Sequence, residues 1–401
     1  MSTISRRGTI VLSLALLFSF LPVQFYTFLQ SLSPDRANRN IYILQMLLIN
    51  CLPAIGIAVL VGGAGACLVG KNGGALRFGG ALLYVMLTFA RLFSTNLDEF
   101  VTMTGPAYAG NTLYLNELRT GFLMFQMGQA SAIRVVANLL QLLPAILALV
   151  LIMVLLRRKE ETPAPAMSKA KLLPALPIAL VLAVVFFGAA VILSVGNMSW
   201  AEPSFLLSIF NSLGFVSVGG FFFCIMAIPA AAAGASFKKP VVTALFVLLS
   251  ALSASVASEY LLTRSMGGVN TLLFPAFWAA VRLLPLIAFI AYFFYLSPKR
   301  AVWYSIPVLC LAFQSLFSNL VQPWAYLSDI SKATIPLAIQ QLTSTFSLSP
   351  MMYGTLNRAI PYIVLALPCL ALWAVASAFL FAAPMEEKAQ DTPLAAEPWA
   401  Q

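Results

Sequence analysis

Four arginines carry the most specific chemistry in this sequence, because each lies within or beside a long apolar run: Arg91, Arg134, Arg282 and Arg358. Arg282 falls near the middle of its run, where an uncompensated charge is costly, so we expect it to face a cavity or a charged partner. Guanidinium groups bind phosphate and carboxylate through paired hydrogen bonds. If the four side chains converge, they form an outward-facing cationic pocket for an acidic group. The alternative for Arg134 and Arg358 is that they extend from the ends of their runs to lipid phosphates.

Carboxylates are few and lie mostly outside the apolar runs. Asp98, Glu99 and Glu117 belong to one polar segment, 97–133, whereas Glu259 lies near the end of an apolar run. We expect Asp98 and Glu99 either to pair with the neighbouring arginines or, with Glu117, to assist group transfer beside a bound phosphate. Because no carboxylate lies deep in an apolar run, the sequence argues against a proton-driven pump.

Other kinds of site chemistry are not indicated. The chain has no histidine, which removes the commonest general base and metal ligand. Its five cysteines are scattered without CxxC spacing, so we interpret them as small buried apolar residues. We therefore predict no catalytic residue, no metal and no cofactor. Nucleic-acid binding would need a basic patch on one face, and the basic residues are instead spread between apolar runs.

The composition identifies the environment in which these residues must be held. Hydrophobic residues make up 61% of the 401-residue chain, charged residues only 9%, and the mean hydropathy is +0.93. A soluble domain is about one quarter charged. The sequence therefore predicts an all-α polytopic membrane protein in which lipid is the solvent.

Apolar runs of about 20 residues are typical of membrane-spanning helices. The chain has ten such runs, and the sixth is the least regular because Gly214, Gly219, Gly220 and Pro229 interrupt it. The predicted spans are 8–30, 42–69, 77–96, 135–156, 173–195, 205–229, 241–262, 271–296, 301–321 and 360–383. Prolines within four of them, which we expect to kink their helices, are Pro53, Pro144, Pro285 and Pro368.

The positions of the basic residues predict the orientation. Lys238–Lys239 and Lys299–Arg300 form short basic turns between spans, and Arg6 and Arg7 precede the first run. By the positive-inside rule these segments are cytoplasmic, which places both termini in the cytoplasm and the protein in the inner membrane. The first run lacks a small-residue cleavage site and is interpreted as an uncleaved span.

An internal repeat is the main organisational signal. LTFARLFSTN (87–96) recurs as LAFQSLFSN (311–319), and the same offset pairs Arg134 with Arg358. Spans 1–4 are therefore predicted to match spans 7–10 in the same orientation, as the halves of some transporters do. The predicted organisation is a first repeat (1–158), a cytoplasmic linker (159–172), an inserted helix pair (173–237), a second repeat (238–384) and a disordered tail (385–401).

One resemblance concerns the layout of residues 1–195, notably the stretch LLYVMLTFARLFSTNLDEFVTMT (82–104). This layout resembles the N-terminal membrane domain of the lipid A phosphoethanolamine transferases and their phosphoglycerol-transferring relatives. The resemblance implies a lipid-facing membrane domain. Those enzymes continue into a soluble domain with a threonine nucleophile and a histidine-rich zinc site, which this chain lacks, so no catalytic residue is transferred to it.

Three functions fit these observations. The first is a permease, or a membrane component that handles an anionic, amphiphilic or lipid-linked substrate through the four arginines. The second is a membrane-embedded transferase of lipid-linked glycan or phospholipid groups. The third is a non-catalytic accessory subunit with a protein partner in the membrane. The sequence leans towards a function that is not enzymatic, and it leaves the substrate, the direction and the energy source open.

Overall fold

The computed structural model describes residues 113–156, 203–236, 254–296, 298–338 and 367–379, together with residues 14 and 252. Within these residues the secondary structure is helical, joined by turns and short irregular connections. The helices are α1 Leu113–Leu118, α2 Met127–Leu156, α3 Pro203–Ser236, α4 Val256–Ser265, α5 Leu273–Val281, α6 Leu284–Leu296, α7 Pro298–Phe317, α8 Val321–Tyr326 and α9 Leu367–Phe379.

The described helices confirm the membrane class of the prediction. Leu207–Ser236 and Ala301–Tyr326 are each long and apolar enough to cross a membrane. The bent pair Leu273–Val281 and Leu284–Tyr295 adds a third if it is counted as one span. A 30-residue helix is about 45 Å long, and the hydrocarbon layer is about 30 Å thick. The full count of ten spans stays a prediction.

Helix α3 is continuous although its sequence contains the glycines and the proline that made the sixth span the least regular. Gly219, Gly220 and Gly234 of this helix permit close packing. A Cβ at Gly234 would overlap the backbone of Ala291 in α6, and a Cβ at Gly220 would overlap the ring of Phe313 in α7. Small residues let membrane helices approach closely, so α3 is the helix against which α6 and α7 pack. Its opposite face exposes apolar side chains, which in a membrane face lipid.

The predicted eighth span is bent by 50° between α5 and α6. Arg282 and Leu283 occupy the break, and the amide of Leu283 donates to the carbonyl of Ala280, a tighter bond than the helical one. Pro285 follows in the first turn of α6, where the missing amide hydrogen costs nothing. The bend therefore places Arg282 at a helix end rather than within a straight helix.

The seventh predicted span, 241–262, differs from the structure at its outer end. The backbone at Ser255 is extended, with φ −68° and ψ 137°, and α4 begins only at Val256. The Ser255 hydroxyl caps α4 by accepting a hydrogen bond from the amide of Ala257. Helix α4 has ten residues, about 15 Å, which is about half of the membrane thickness. It lies outside the candidate spans.

Two polar segments, 113–126 and 328–338, pack against the described helices through a shared apolar cluster. After α1, a π-helical turn, Arg119–Leu123, leads into α2. Residues 328–338 contain a short 3-10 turn, Ile330–Lys332, and a helical turn at 335–338, and the side chain of Asn211 in α3 donates to the carbonyls of this segment. Both segments thus cover one end of the described helices.

Candidate functional site

Four charged side chains lie together where α1, α2 and α4 meet the bend between α5 and α6. This charge cluster consists of Glu117, Arg134, Glu259 and Arg282. Glu117, Arg134 and Glu259 are at most 2% exposed. Within the described residues, two arginines and two glutamates balance, so these four side chains carry no net charge when all are ionised.

The first pair joins Glu117 of α1 to Arg134 of α2 by a salt bridge. The turn between these helices folds α1 back beside α2, which brings the two residues together. The second role of Glu117 is to hold the start of α4: it accepts hydrogen bonds from the Ser255 hydroxyl (2.8 Å) and the amide of Val256 (3.0 Å). A carboxylate at a helix N-terminus is favoured by the helix dipole.

The second pair joins Glu259 of α4 to Arg282 at the bend. Nη2 of Arg282 lies 2.9 Å from Oε1 of Glu259 and donates a further bond of 3.2 Å to the carbonyl of Ala254. Oε2 of Glu259 is buried and has no hydrogen-bond partner within the described part of the chain. The Arg282 side chain is 16% exposed, which makes it the accessible member of the cluster.

Polar contacts between helices fix the positions of the two pairs. The hydroxyls of Ser131 in α2 and Ser258 in α4 are 2.9 Å apart. The indole of Trp278 in α5 donates to Thr263 in α4 at 2.9 Å. A Cβ at Gly121 would lie 3.2 Å from the Cβ of Ala130, so glycine permits the close approach of the π-helical turn to α2. Helix α4 is therefore bonded to α2, which carries Arg134, and to α5, which ends beside Arg282.

Burial changes the proton affinity of Glu259. Burial favours the neutral form of this carboxyl, whereas Arg282 beside it favours the ionised form. Glu117 and Arg134 also act on Glu259 through their charges, so the two ion pairs influence each other.

The structure brings together three of the residues that the sequence analysis selected. Arg134, Arg282 and Glu117 lie in the charge cluster. Within the described residues both arginines are bonded to carboxylates, and the predicted outward-facing cationic pocket stays a prediction. The other selected residues lie outside the described ranges: Arg91, Arg358, Asp98 and Glu99. Within those ranges, no group of three or more His, Cys, Asp or Glu residues could hold a metal ion.

Two members of the site were missed by sequence reasoning. Glu259 was placed near the end of a span and given no role, and the absence of a deep carboxylate was taken as an argument against proton coupling. Ser255, which links Glu117 to the start of α4, was not considered. The available signal was that Glu259 is one of the few carboxylates in an apolar stretch, where ionisable residues usually have a partner.

The chain was compared with protein-family models, with curated proteins and with solved structures. None of the three comparisons finds a match. The resemblance of residues 1–195 to a transferase membrane domain therefore stays a prediction.

Proposed function

We propose that the protein is an integral membrane permease, or a membrane component with the same task, and that Arg282 and Arg134 recognise the acidic group of an anionic or amphiphilic substrate. The observation that carries this proposal is that both arginines belong to one buried cluster with two glutamates. A buried ion pair usually stabilises a fold no better than apolar residues of similar volume. Three buried charges beside the partly exposed Arg282 at the helix bend are therefore better explained by binding than by stability.

The position of Arg282 supports this function. It is the most exposed member of the cluster, so an anion would reach it first. It also occupies the break between α5 and α6, where the helix is already interrupted. A change in the angle between the two helices would move the guanidinium group relative to α4, as substrate handling requires.

The proposal includes the wider arrangement expected from the sequence. The protein would have ten spans in the inner membrane, both termini in the cytoplasm, and spans 1–4 repeated as spans 7–10. The described spans and the apolar faces that α2 and α3 expose support contact with lipid.

An accessory subunit is the second candidate, and one observation favours it. Each arginine is already bonded to a carboxylate, and such pairs hold helices together without any ligand. The transferase hypothesis is weaker. Glu117, one of its three carboxylates, is committed to Arg134 and to the first turn of α4 rather than exposed for group transfer.

Anion-dependent thermal stability in lipid nanodiscs tests the proposal. The free probes are sulfate and acetate, and replacement of phosphatidylcholine by phosphatidylglycerol tests a lipid headgroup. A ligand at 100 times its Kd stabilises the native state by about 2.7 kcal/mol, which raises Tm. We expect one probe to raise the Tm of the wild type and of Arg264→Gln, a control at an exposed arginine of α4, but not of Arg282→Gln.

Arg282→Lys keeps the charge and loses the planar donor pair, so it should bind more weakly than the wild type but still respond. If no probe shifts the wild type, or if Arg282→Gln responds as the wild type does, Arg282 is not the anion site. A large loss of stability in Arg282→Gln without any anion effect would favour the accessory subunit.

A further inference from the structure

The ion pairs Glu117–Arg134 and Glu259–Arg282 differ in how many hydrogen bonds their carboxylates receive. Glu117 receives an ion pair and two hydrogen bonds from Ser255 and Val256. Glu259 receives Arg282 on Oε1 only, while its buried Oε2 has no hydrogen-bond partner among the described residues. A buried carboxylate oxygen without a donor disfavours the ionised form. Glu259 is therefore the member of the cluster that is poised to take up a proton.

We propose that Glu259 is a proton-binding site coupled to Arg282, so that the cluster binds one substrate anion together with one proton. The inference rests on the proposed function, since it concerns how Arg282 becomes available to the anion. The proton comes from the aqueous phase and adds to the Glu259 carboxylate, which becomes a neutral carboxyl group. Arg282 keeps its charge and exchanges the lost carboxylate for the anionic group of the substrate.

Charge balance supports this exchange. The four side chains of the cluster carry two positive and two negative charges. Protonation of Glu259 alone would leave one positive charge in excess, and an anion alone would leave one negative charge in excess. Uncompensated charge is costly at a buried site. The state with both proton and anion is neutral again, so each ligand should increase the affinity for the other.

The exposure of Arg282 and its hydrogen bond to Ala254 also support the exchange of the carboxylate for an anion. Arg282 is partly exposed, so an anion can approach the guanidinium group without first entering the buried side of the cluster. A protonated Glu259 would carry a hydroxyl that can donate to that anion, giving the unbonded oxygen a partner. The donation from Arg282 to the carbonyl of Ala254 would still hold the guanidinium group in place.

The charged groups that face Glu259 from the described elements are Glu117 of α1, Arg134 of α2 and Arg282 at the bend. Because the Glu259 side chain is buried, its neutral form is favoured, whereas Arg282 favours its ionised form. By contrast, hydrogen bonds from Ser331 hold the pKa of the exposed Asp329 below its usual range.

Acetate binding measured between pH 6 and pH 8.5 tests the coupling, because acetate is a monoanion that stays ionised in this range. The assay is anion-dependent thermal stability of the full chain in nanodiscs. At pH values where Glu259 is ionised before the anion binds, the acetate affinity of the wild type should fall about tenfold per pH unit, since one proton is bound with each anion. Glu259→Gln imitates the protonated carboxyl and should bind acetate with an affinity that does not vary with pH.

Two further variants make the result specific. Asp329→Asn removes an exposed carboxyl that pairs with Lys332 and is no member of the cluster, so it should keep the pH dependence of the wild type. Glu259→Asp keeps a titrating group and should retain a pH dependence even if Glu259→Gln folds poorly. An affinity that is equal at all pH values in the wild type, or equally pH-dependent in Glu259→Gln, would overturn the coupling while leaving the anion site intact.

Direct titration of the carboxyl separates this inference from the proposed function. Infrared difference spectra between pH 5.5 and pH 8.5 should show a protonated carboxyl band that is present in the wild type and in Asp329→Asn and lost in Glu259→Gln. If no such band belongs to Glu259, the proton site is refuted whether or not anions bind. If the band is found and no anion binds at any pH, the proposed function fails instead.

Discussion

The pair of Glu117 and Arg134 gives the sharpest test of the structure. Glu117→Gln keeps the shape of the side chain and removes the charge that balances Arg134, which is 2% exposed. Leaving one buried charge without its partner costs about 3–5 kcal/mol. The amide can still accept the hydrogen bonds from Ser255 and Val256, so we expect a loss of free energy of unfolding near the lower end of this range.

A double variant separates the charge from the packing. Replacing both members, Glu117→Leu with Arg134→Met, removes the unbalanced charge along with the pair. Buried pairs replaced by apolar residues often cost little, so the double variant should be more stable than the sum of the two single losses predicts. The hydroxyl of Ser255 and the amide of Val256 lose their acceptor, which leaves a remaining cost of about 1–3 kcal/mol for each such buried group.

Unfolding in mixed detergent micelles, followed by tryptophan fluorescence, measures these differences. Asp329→Asn is the matched control, because it also changes an acid to its amide but at an exposed position, and should stay within about 0.5 kcal/mol of the wild type. The reasoning would be refuted if Glu117→Gln were as stable as this control, or if the losses in the double variant were simply additive.

Two further outcomes concern α3 and α4. Gly234→Ala should destabilise the protein by about 1–3 kcal/mol because the new methyl group meets the backbone of Ala291, whereas Gly214→Ala, whose nearest neighbour would be 3.8 Å away, should be neutral or stabilising by up to about 1 kcal/mol. The same unfolding assay measures both, and equal effects would contradict the close packing of α3. Ser255→Ala removes the cap of α4 and should cost about 0.5–2 kcal/mol, while Ser255→Thr, which keeps the hydroxyl, should recover most of it; no difference between the two would exclude the cap.

The membrane-helix class of the fold could be predicted from the sequence. It depends on the summed hydropathy of runs of about 20 residues, which requires no knowledge of tertiary contacts. Apolar content correctly predicted α3 as a span. Glycines weaken an isolated helix, but here they allow α3 to pack closely against α6 and α7, and this packing stabilises the helix. The bend near Arg282 could be expected from Pro285, although its 50° angle depends on the hydrogen bonds at the break. The start of α4 at Val256 was not predicted, because a serine cap is a weak signal within an apolar run.

The ion pairs were harder to predict than the helices. Sequence reasoning selected Arg134 and Arg282 as costly charges and proposed Asp98 and Glu99 as partners of Arg91 or Arg134, and these two carboxylates lie outside the described ranges. The partners in the described structure are Glu117 and Glu259. Which carboxylate meets which arginine depends on the turn after α1 and on the extended residue before α4, and neither has a distinct sequence pattern. The internal duplication stays a prediction, since residues 87–96 and Arg358 lie outside the described ranges.

The two ion pairs also bear on how the protein can be made. Each pair joins neighbouring segments of the chain: Glu117 lies just before the helix that carries Arg134, and Glu259 is 23 residues from Arg282. A charged side chain that enters a bilayer alone costs about 2.5–3.5 kcal/mol at the centre of a helix. Because each carboxylate emerges from the ribosome shortly before its arginine, each helical hairpin can neutralise its own charge during insertion, before the two hairpins meet.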